Sequence, residues 1–283
     1  MIKCGTSMKK KSVRTPVNTE DYLEFFLKNA PSCWALVRAN EMRIVDQIRF
    51  QKPILDVGCG DGIVANAILN NRNYKFDYGI DLSQREVNKA VTSGCYNHCQ
   101  VASVYQLPFK NNYFKTVFSN SVVEHLKNLD LALFEMSRVL SKNGSLIITV
   151  PASYITDYLI GTTLLNKFHI KFLADSYGHF FNRLYKHYNL YNHKEWKKIL
   201  GKHSLVLTEY KYYHTPTMIK IHEFLSYLSL PFHLLKPLTG RWTFLPLLRN
   251  KLLLPLFCNV LNSYISDVDK NEGGAILLIA QKK

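Results

Sequence analysis

The stretch that most constrains this chain is Pro53-Ile54-Leu55-Asp56-Val57-Gly58-Cys59-Gly60-Asp61-Gly62. A short apolar run enters a glycine-rich corner, and Ile63 to Leu69 then resumes at helical spacing, which predicts strand, tight turn and helix. Gly58, Gly60 and Gly62 lack Cβ atoms, so the corner can take positive φ and let backbone approach a ligand closely. The following helix aims its N-terminus at whatever lies above the turn, which suits a nucleotide-type cofactor. The dinucleotide fingerprint G-x-G-x-x-G would need its third glycine at position 63, where Ile63 stands. The pattern is G-x-G-x-G.

Later segments keep step with that corner. Phe76 to Asp81 reads as a second strand ending in a carboxylate, where a doubly wound nucleotide site places an acid to accept ribose hydroxyls. Ser83 is an N-cap for a helix through Val87, Ala90 and Val91. Then follow Leu107-Pro108-Phe109, Phe114 to Asn120, Glu124-His125-Leu126, Glu135 with Arg138-Val139-Leu140, Asn143-Gly144-Ser145-Leu146 and Val150-Pro151. In order and spacing these motifs resemble the small-molecule branch of the class I S-adenosylmethionine (SAM) dependent methyltransferases.

The resemblance implies an α/β Rossmann-like fold, a seven-stranded mostly parallel sheet with helices on both faces and helical insertions. It implies SAM as cofactor, held by Asp56, Gly58, Cys59, Gly60, Asp81, Leu82, Ser103, Val104 and Asn120. Relatives usually carry Asp where Ser103 stands, and a hydroxyl accepts the adenine bond more weakly than a carboxylate. His125 and His187 are the candidate proton acceptors for a hydroxyl nucleophile. The alternative for Glu124-His125 is a purely structural pair that orients the next helix. In quinone-pathway O-methyltransferases a similar Glu-His pair joins an earlier Glu at a divalent ion; here that earlier position is Ser121, so no metal is expected.

The expected layout is a basic tail over 1–19, an N-terminal helical lid over 20–50 divided by Pro31, and the SAM-binding core over 51–151. An aromatic substrate lid follows over 152–192, then a core helix and strand over 193–216, an apolar and basic helical insertion over 217–268, and a final core strand over 269–283. In the N-terminal lid Trp34, Arg38 and Glu41 share one helical stripe; Arg38 either forms a salt bridge or approaches the methionine carboxylate of the cofactor. Asn192 and Glu195 make a capping-box pair. Leu205 to Tyr213 and Ala275 to Ala280 read as the last antiparallel pair, with about 60 residues where a short hairpin is usual.

Charge bears on partners. The chain carries 36 Lys and Arg against 21 Asp and Glu, and residues 151–283 hold 17 of the former against 8 of the latter. Such a surface suits an anionic partner, or is simply well solvated. Strand four ends in Ser119-Asn120-Ser121-Val122 and lacks the Asn/Asp-Pro-Pro-aromatic motif of base-directed methyltransferases, which disfavours nucleic acid. In the 217–268 insertion, prolines recur every six to nine residues, so short apolar helices with basic flanks are expected rather than a spanning helix. They suit either a membrane interface or a soluble cap. The six cysteines show no zinc spacing, and no signal peptide is recognisable, so a cytosolic protein with contact to the inner membrane face is expected. The acceptor is expected to be a small-molecule, lipid-linked or glycan hydroxyl; a SAM-binding module without turnover and an RNA methyltransferase are the alternatives, and no oligomeric state follows.

Overall fold

The computed structural model describes residues 19–70, 72–239, 254–262 and 272–283. The expected 1–19 tail, apart from Thr19, and the Trp242 and Tyr264 portions of the insertion lie outside the described residues.

One sheet organises the chain. Its strands are β1 (Ile54–Val57), β2 (Phe76–Asp81), β3 (Tyr96–Val101), β4 (Phe114–Asn120), β5 (Leu140–Pro151), β6 (Leu205–Tyr213) and β7 (Ala275–Lys282). They lie in the order β3-β2-β1-β4-β5-β7-β6. All neighbours run parallel except β7, which is antiparallel to both β5 and β6. This is the expected α/β arrangement, with the order reversing between β1 and β4, where such sheets open a ligand crevice.

Every residue of β1 is buried, as a central parallel strand covered on both faces requires. On one face, Ile54, Phe118, Ile147 and Leu277 pack against α1 (Thr19–Asn29), α2 (Ser32–Val45) and α3 (Ile63–Leu69). On the other, Leu55, Val117, Leu146 and Leu278 pack against α5 (Leu129–Val139) and α8 (His193–Gly201), whose Trp196 is fully buried. The helices start and stop where local chemistry dictates. The Ser83 side chain accepts from Glu86 N at the head of α4 (Gln84–Ser93), and the Asn192–Glu195 capping box opens α8. At Asn143-Gly144 it is Asn143, at φ 60°, that takes the left-handed conformation.

The motif pair Glu135 and Arg138 works structurally. Arg138 meets both carboxylate oxygens of Glu135 at 2.6 and 2.7 Å and donates to the carbonyls of Leu107 and Phe109, while Glu135 accepts from Leu107 N. The Leu-Pro-Phe turn is thereby locked onto α5.

The two additions to the sheet are helical. After β5 come α6 (Ile160–Lys167) and α7 (Lys171–Tyr185); between β6 and β7 come α9 (Pro216–Thr239) and α10 (Leu254–Asn262). One expectation fails here: α9 is a single helix of 24 residues that runs through Pro231 and Pro237 instead of breaking into short pieces. An interior proline removes one hydrogen bond and kinks the helix locally, but the flanking leucine-rich sequence has strong helix propensity and carries it on. No helix among the described residues is long and apolar enough to cross a membrane.

Candidate functional site

The site forms at the carboxyl ends of β1, β2 and β4. Gly58, Gly60 and Gly62 all have positive φ, at 78°, 52° and 82°. Gly58 has no room for a side chain, since a Cβ would sit 2.3 Å from Val122 Cγ2. Gly60 faces open space instead, with nothing within 4 Å of its missing Cβ. The loop is stitched to β2: Gly58 N and Cys59 N both donate to Ile80 O, at 2.8 and 2.9 Å. Asp81 completes the attachment, accepting from Gly60 N at 3.0 Å through Oδ2 and from Ser83 N at 2.9 Å through Oδ1. A carboxylate has four acceptor positions, so the capacity to take a pair of hydroxyls remains.

Below the loop, Asp56 is buried and accepts from Tyr96 Oη at 2.7 Å. Burial pushes its carboxyl up to about 7, against the opposing Tyr96 hydroxyl. Burial and the neighbouring Asp56 also push the Cys59 thiol up, so it is no ready nucleophile.

Two cavities open from this point. The smaller, about 290 Å³, is lined by Asp56, Gly58, Cys59, Gly60 and Asn120, with Trp34 and Arg38 of α2 across from them. The larger, about 500 Å³, is bounded by Glu124, His125, Tyr185, His187 and Tyr213, and again by Trp34 and Arg38. Trp34, Arg38 and Ser121 line both. Arg38 Nη1 donates to Glu41 Oε2, Asn120 Oδ1 and Ser121 Oγ, at 2.6, 2.8 and 3.0 Å. Burial alone would raise the Glu41 carboxyl, but the Arg38 guanidinium outweighs it and holds the group below the usual range. Tyr213 Oη donates to the other oxygen, Glu41 Oε1, at 2.9 Å. Ser121 itself sits at φ 52°, a conformation found at functional turns.

The two predicted histidines meet. The His125 and His187 rings stack with centroids 5.7 Å apart. His125 Nδ1 lies 3.1 Å from the Lys186 carbonyl, which only accepts, so Nδ1 carries a proton, and Nε2 lies 3.7 Å from Glu124 Oε1. His187 is different: burial, then the charge of His125, lowers it to about 4. The Glu124 carboxyl is pushed up to about 8 by burial.

Other expected residues stand apart from the cavities. Leu82 is 77% exposed, Ser103 Oγ accepts from Tyr105 N at 3.2 Å, and Val104 packs against the core face of β4 and β5. Sequence reasoning missed Tyr213, His214 and His222, which line the larger cavity from the C-terminal half. His214 Nε2 lies 2.9 Å from Val37 O and His222 Nδ1 2.6 Å from Cys33 O, tying that half to α2. No local motif marks them, because their roles arise only when β6 and α9 pack against α2.

The residues fit SAM. The Gly60 opening leaves space where a nucleotide would approach, Asp81 offers free acceptor positions beside it, and Arg38 brings a cation and Asp56 a carboxyl acceptor to one cavity.

Comparison with known proteins agrees. Residues 55–148 match a methyltransferase domain family. An uncharacterised protein of Methanocaldococcus jannaschii is 34% identical over 151 residues, which cover 51% of this chain and 57% of that protein. A ubiquinone biosynthesis O-methyltransferase of Pelagibacter ubique is 30% identical over 110 residues, 38% of this chain and 45% of that one. The chain thus spans about half the length of the curated relatives it matches. A SAM-dependent methyltransferase of Thermotoga maritima superposes with TM-score 0.54 at 15% identity, over 94% of this chain and 100% of its own, a likeness of fold. Motif order, sheet topology and family match together make residues 55–148 similar to a methyltransferase domain within a Rossmann-like methyltransferase fold.

Proposed function

We propose that the protein transfers a methyl group from SAM to a hydroxyl on a small-molecule, lipid-linked or glycan acceptor. The observation that carries this is the shared wall: Trp34, Arg38 and Ser121 border both the loop cavity and the histidine-lined cavity. Direct displacement needs the nucleophile beside the cofactor with water excluded, and adjoining cavities supply that alignment. Bound SAM contributes the electrophilic methyl and its own leaving group.

The remaining tasks fall to the chain. Asp56, the glycine loop, Asp81 and Asn120 hold the cofactor side; Leu82, Ser103 and Val104 lie on the adenine side in this reading. Ile155, Phe181 and Tyr185 give the acceptor cavity its apolar body. His125, whose Nε2 lies on the side of Glu124 at the cavity wall, takes the hydroxyl proton. His187 stays neutral across the physiological range and acts as the stacking neighbour that orients His125. The Pelagibacter relative, named for an O-methylation in ubiquinone biosynthesis, favours a hydroxyl acceptor.

The test is to incubate the purified protein with methyl-labelled SAM and fractionated host lysate. Label in a chloroform-extractable product that alkali-stable ether analysis assigns to oxygen is the expected result. Label confined to RNA or to amines would replace the reading, and cofactor binding without any labelled product would leave a binding module.

A further inference from the structure

Among the described residues, exposed apolar side chains cluster on α7 and on the part of α9 beside it. In the described part of α9, Met218 and Ile219 are buried, and Asn40 of α2 donates to Met218 Sδ at 3.5 Å. Large apolar side chains stand in solvent along α7 and the turn before it: Phe168 at 64%, Phe172 at 79%, Phe180 at 59% and Leu184 at 63%. Phe172, Phe180 and Leu184 fall at multiples of four residues, so they form one oblique stripe, while Ala174, Gly178 and Phe181 face inward. Phe224 and Leu228 of α9 add to it, and α9 is joined to α7 where the Tyr177 and Tyr227 hydroxyls meet.

The rim of this stripe is basic. Lys167, Lys171, Arg183 and Lys186 are exposed around it, and Asp175 is the acid among residues 160–188. Leu184 and Lys186 also line the larger cavity, so the surface runs into its mouth.

We propose that the α7 face docks this protein on an anionic lipid bilayer, with the mouth of the acceptor cavity at the membrane surface. Aromatic and leucine side chains between lysines and arginines are what an interfacial helix needs: the rings enter the headgroup boundary while the cations remain at the phosphates. A second copy of the chain is the poorer occupant, because a self-complementary interface through this face brings two basic rims of like charge together. The purpose of docking, delivery of a lipid-linked acceptor, rests on the proposed hydroxyl methylation; the docking itself does not.

The experiment is flotation of the full chain with vesicles of phosphatidylcholine and phosphatidylglycerol, and with phosphatidylcholine alone, with SAM affinity measured in parallel. Wild type floats with the anionic vesicles, and F172E/F180E reduces the bound fraction at least tenfold with SAM affinity unchanged. If that pair fails to fold, K167E/K171E/R183E carries the same expectation. Wild-type protein that stays in the lipid-free fraction overturns the proposal, as does a correctly folded double variant that floats normally. Sedimentation showing a wild-type dimer that F172E/F180E dissociates would reassign the face to self-association. Methyl transfer to a water-soluble acceptor, scored separately, shows whether the catalytic reading survives any of these results.

Discussion

Arg38 and Asn120, 82 positions apart, are joined by a 2.8 Å hydrogen bond that fastens the N-terminal helix α2 to the carboxyl end of β4. Asn120 in turn donates to Thr149 of β5, so the guanidinium is set against the centre of the sheet. Glu41 supplies the countercharge, and a buried ion of this kind is costly once its partner is lost. R38M should therefore lower stability by about 3 kcal/mol and weaken SAM binding at least tenfold. R38M/E41Q should regain most of the melting temperature and none of the cofactor affinity. Calorimetry and thermal denaturation of the two variants separate the roles, and recovery of binding in the double variant would sink the assignment.

Asp81 tethers Gly60, whose loop lines the smaller cavity. D81A should weaken SAM at least tenfold, the loss of charge-assisted bonds of about 1.5 to 3 kcal/mol. Titration calorimetry reads this directly. Unchanged affinity would show that the ribose is held elsewhere.

At the first and second glycines of the loop the same substitution meets different obstacles. G58A drives a methyl group into Val122 and forces alanine to φ 78°, whereas G60A meets only the backbone term. G60A should cost about 1 kcal/mol, from the left-handed conformation alone, and G58A distinctly more. Adding V122A to G58A should recover part of that difference in melting temperature.

H125Q should lower the turnover of the labelled product about 100-fold, with SAM affinity within twofold of wild type. H187F, which keeps a ring against His125, should raise the acceptor KM more than it lowers kcat. Equal kcat losses in both variants would mean that the pair acts as one unit.

Asp56 gives a signed pH dependence. Its folded carboxyl sits near 7, above the ordinary 3.8, so the folded state binds a proton that the unfolded chain releases. That contribution is complete below about pH 4 and is lost as pH rises through about 7. Wild type should lose more melting temperature than D56N between pH 5 and pH 8. His187 and His214, both lowered to about 4, act in the opposite sense but equally in the two proteins.

Much of this was legible in the chain. Glycine spacing, the acid at Asp81, the Ser83 cap and the Asn192–Glu195 box are local devices, and each forms as its residues dictate. The stripe of Trp34, Arg38 and Glu41 was visible as helical spacing, though its partners were not. Tyr213, His214 and His222 carry no signature, since their contacts to Glu41, Val37 and Cys33 span 172 to 189 positions of sequence. The continuity of α9 was illegible for a related reason: proline rules describe local cost, and that cost was overcome by the residues on either side.

The excursion between β6 and β7 has a consequence for how such a protein can change. Because β7 is clasped in register by β5 on one side and β6 on the other, the sheet closes the same way whatever leaves and returns between them. Doubling the length of a loop adds only about 0.6 kcal/mol of closure entropy. The segment that contributes Ile219 and His222 to the larger cavity can therefore vary in length between related chains without shifting the register of the sheet, provided its contacts to α2 are kept.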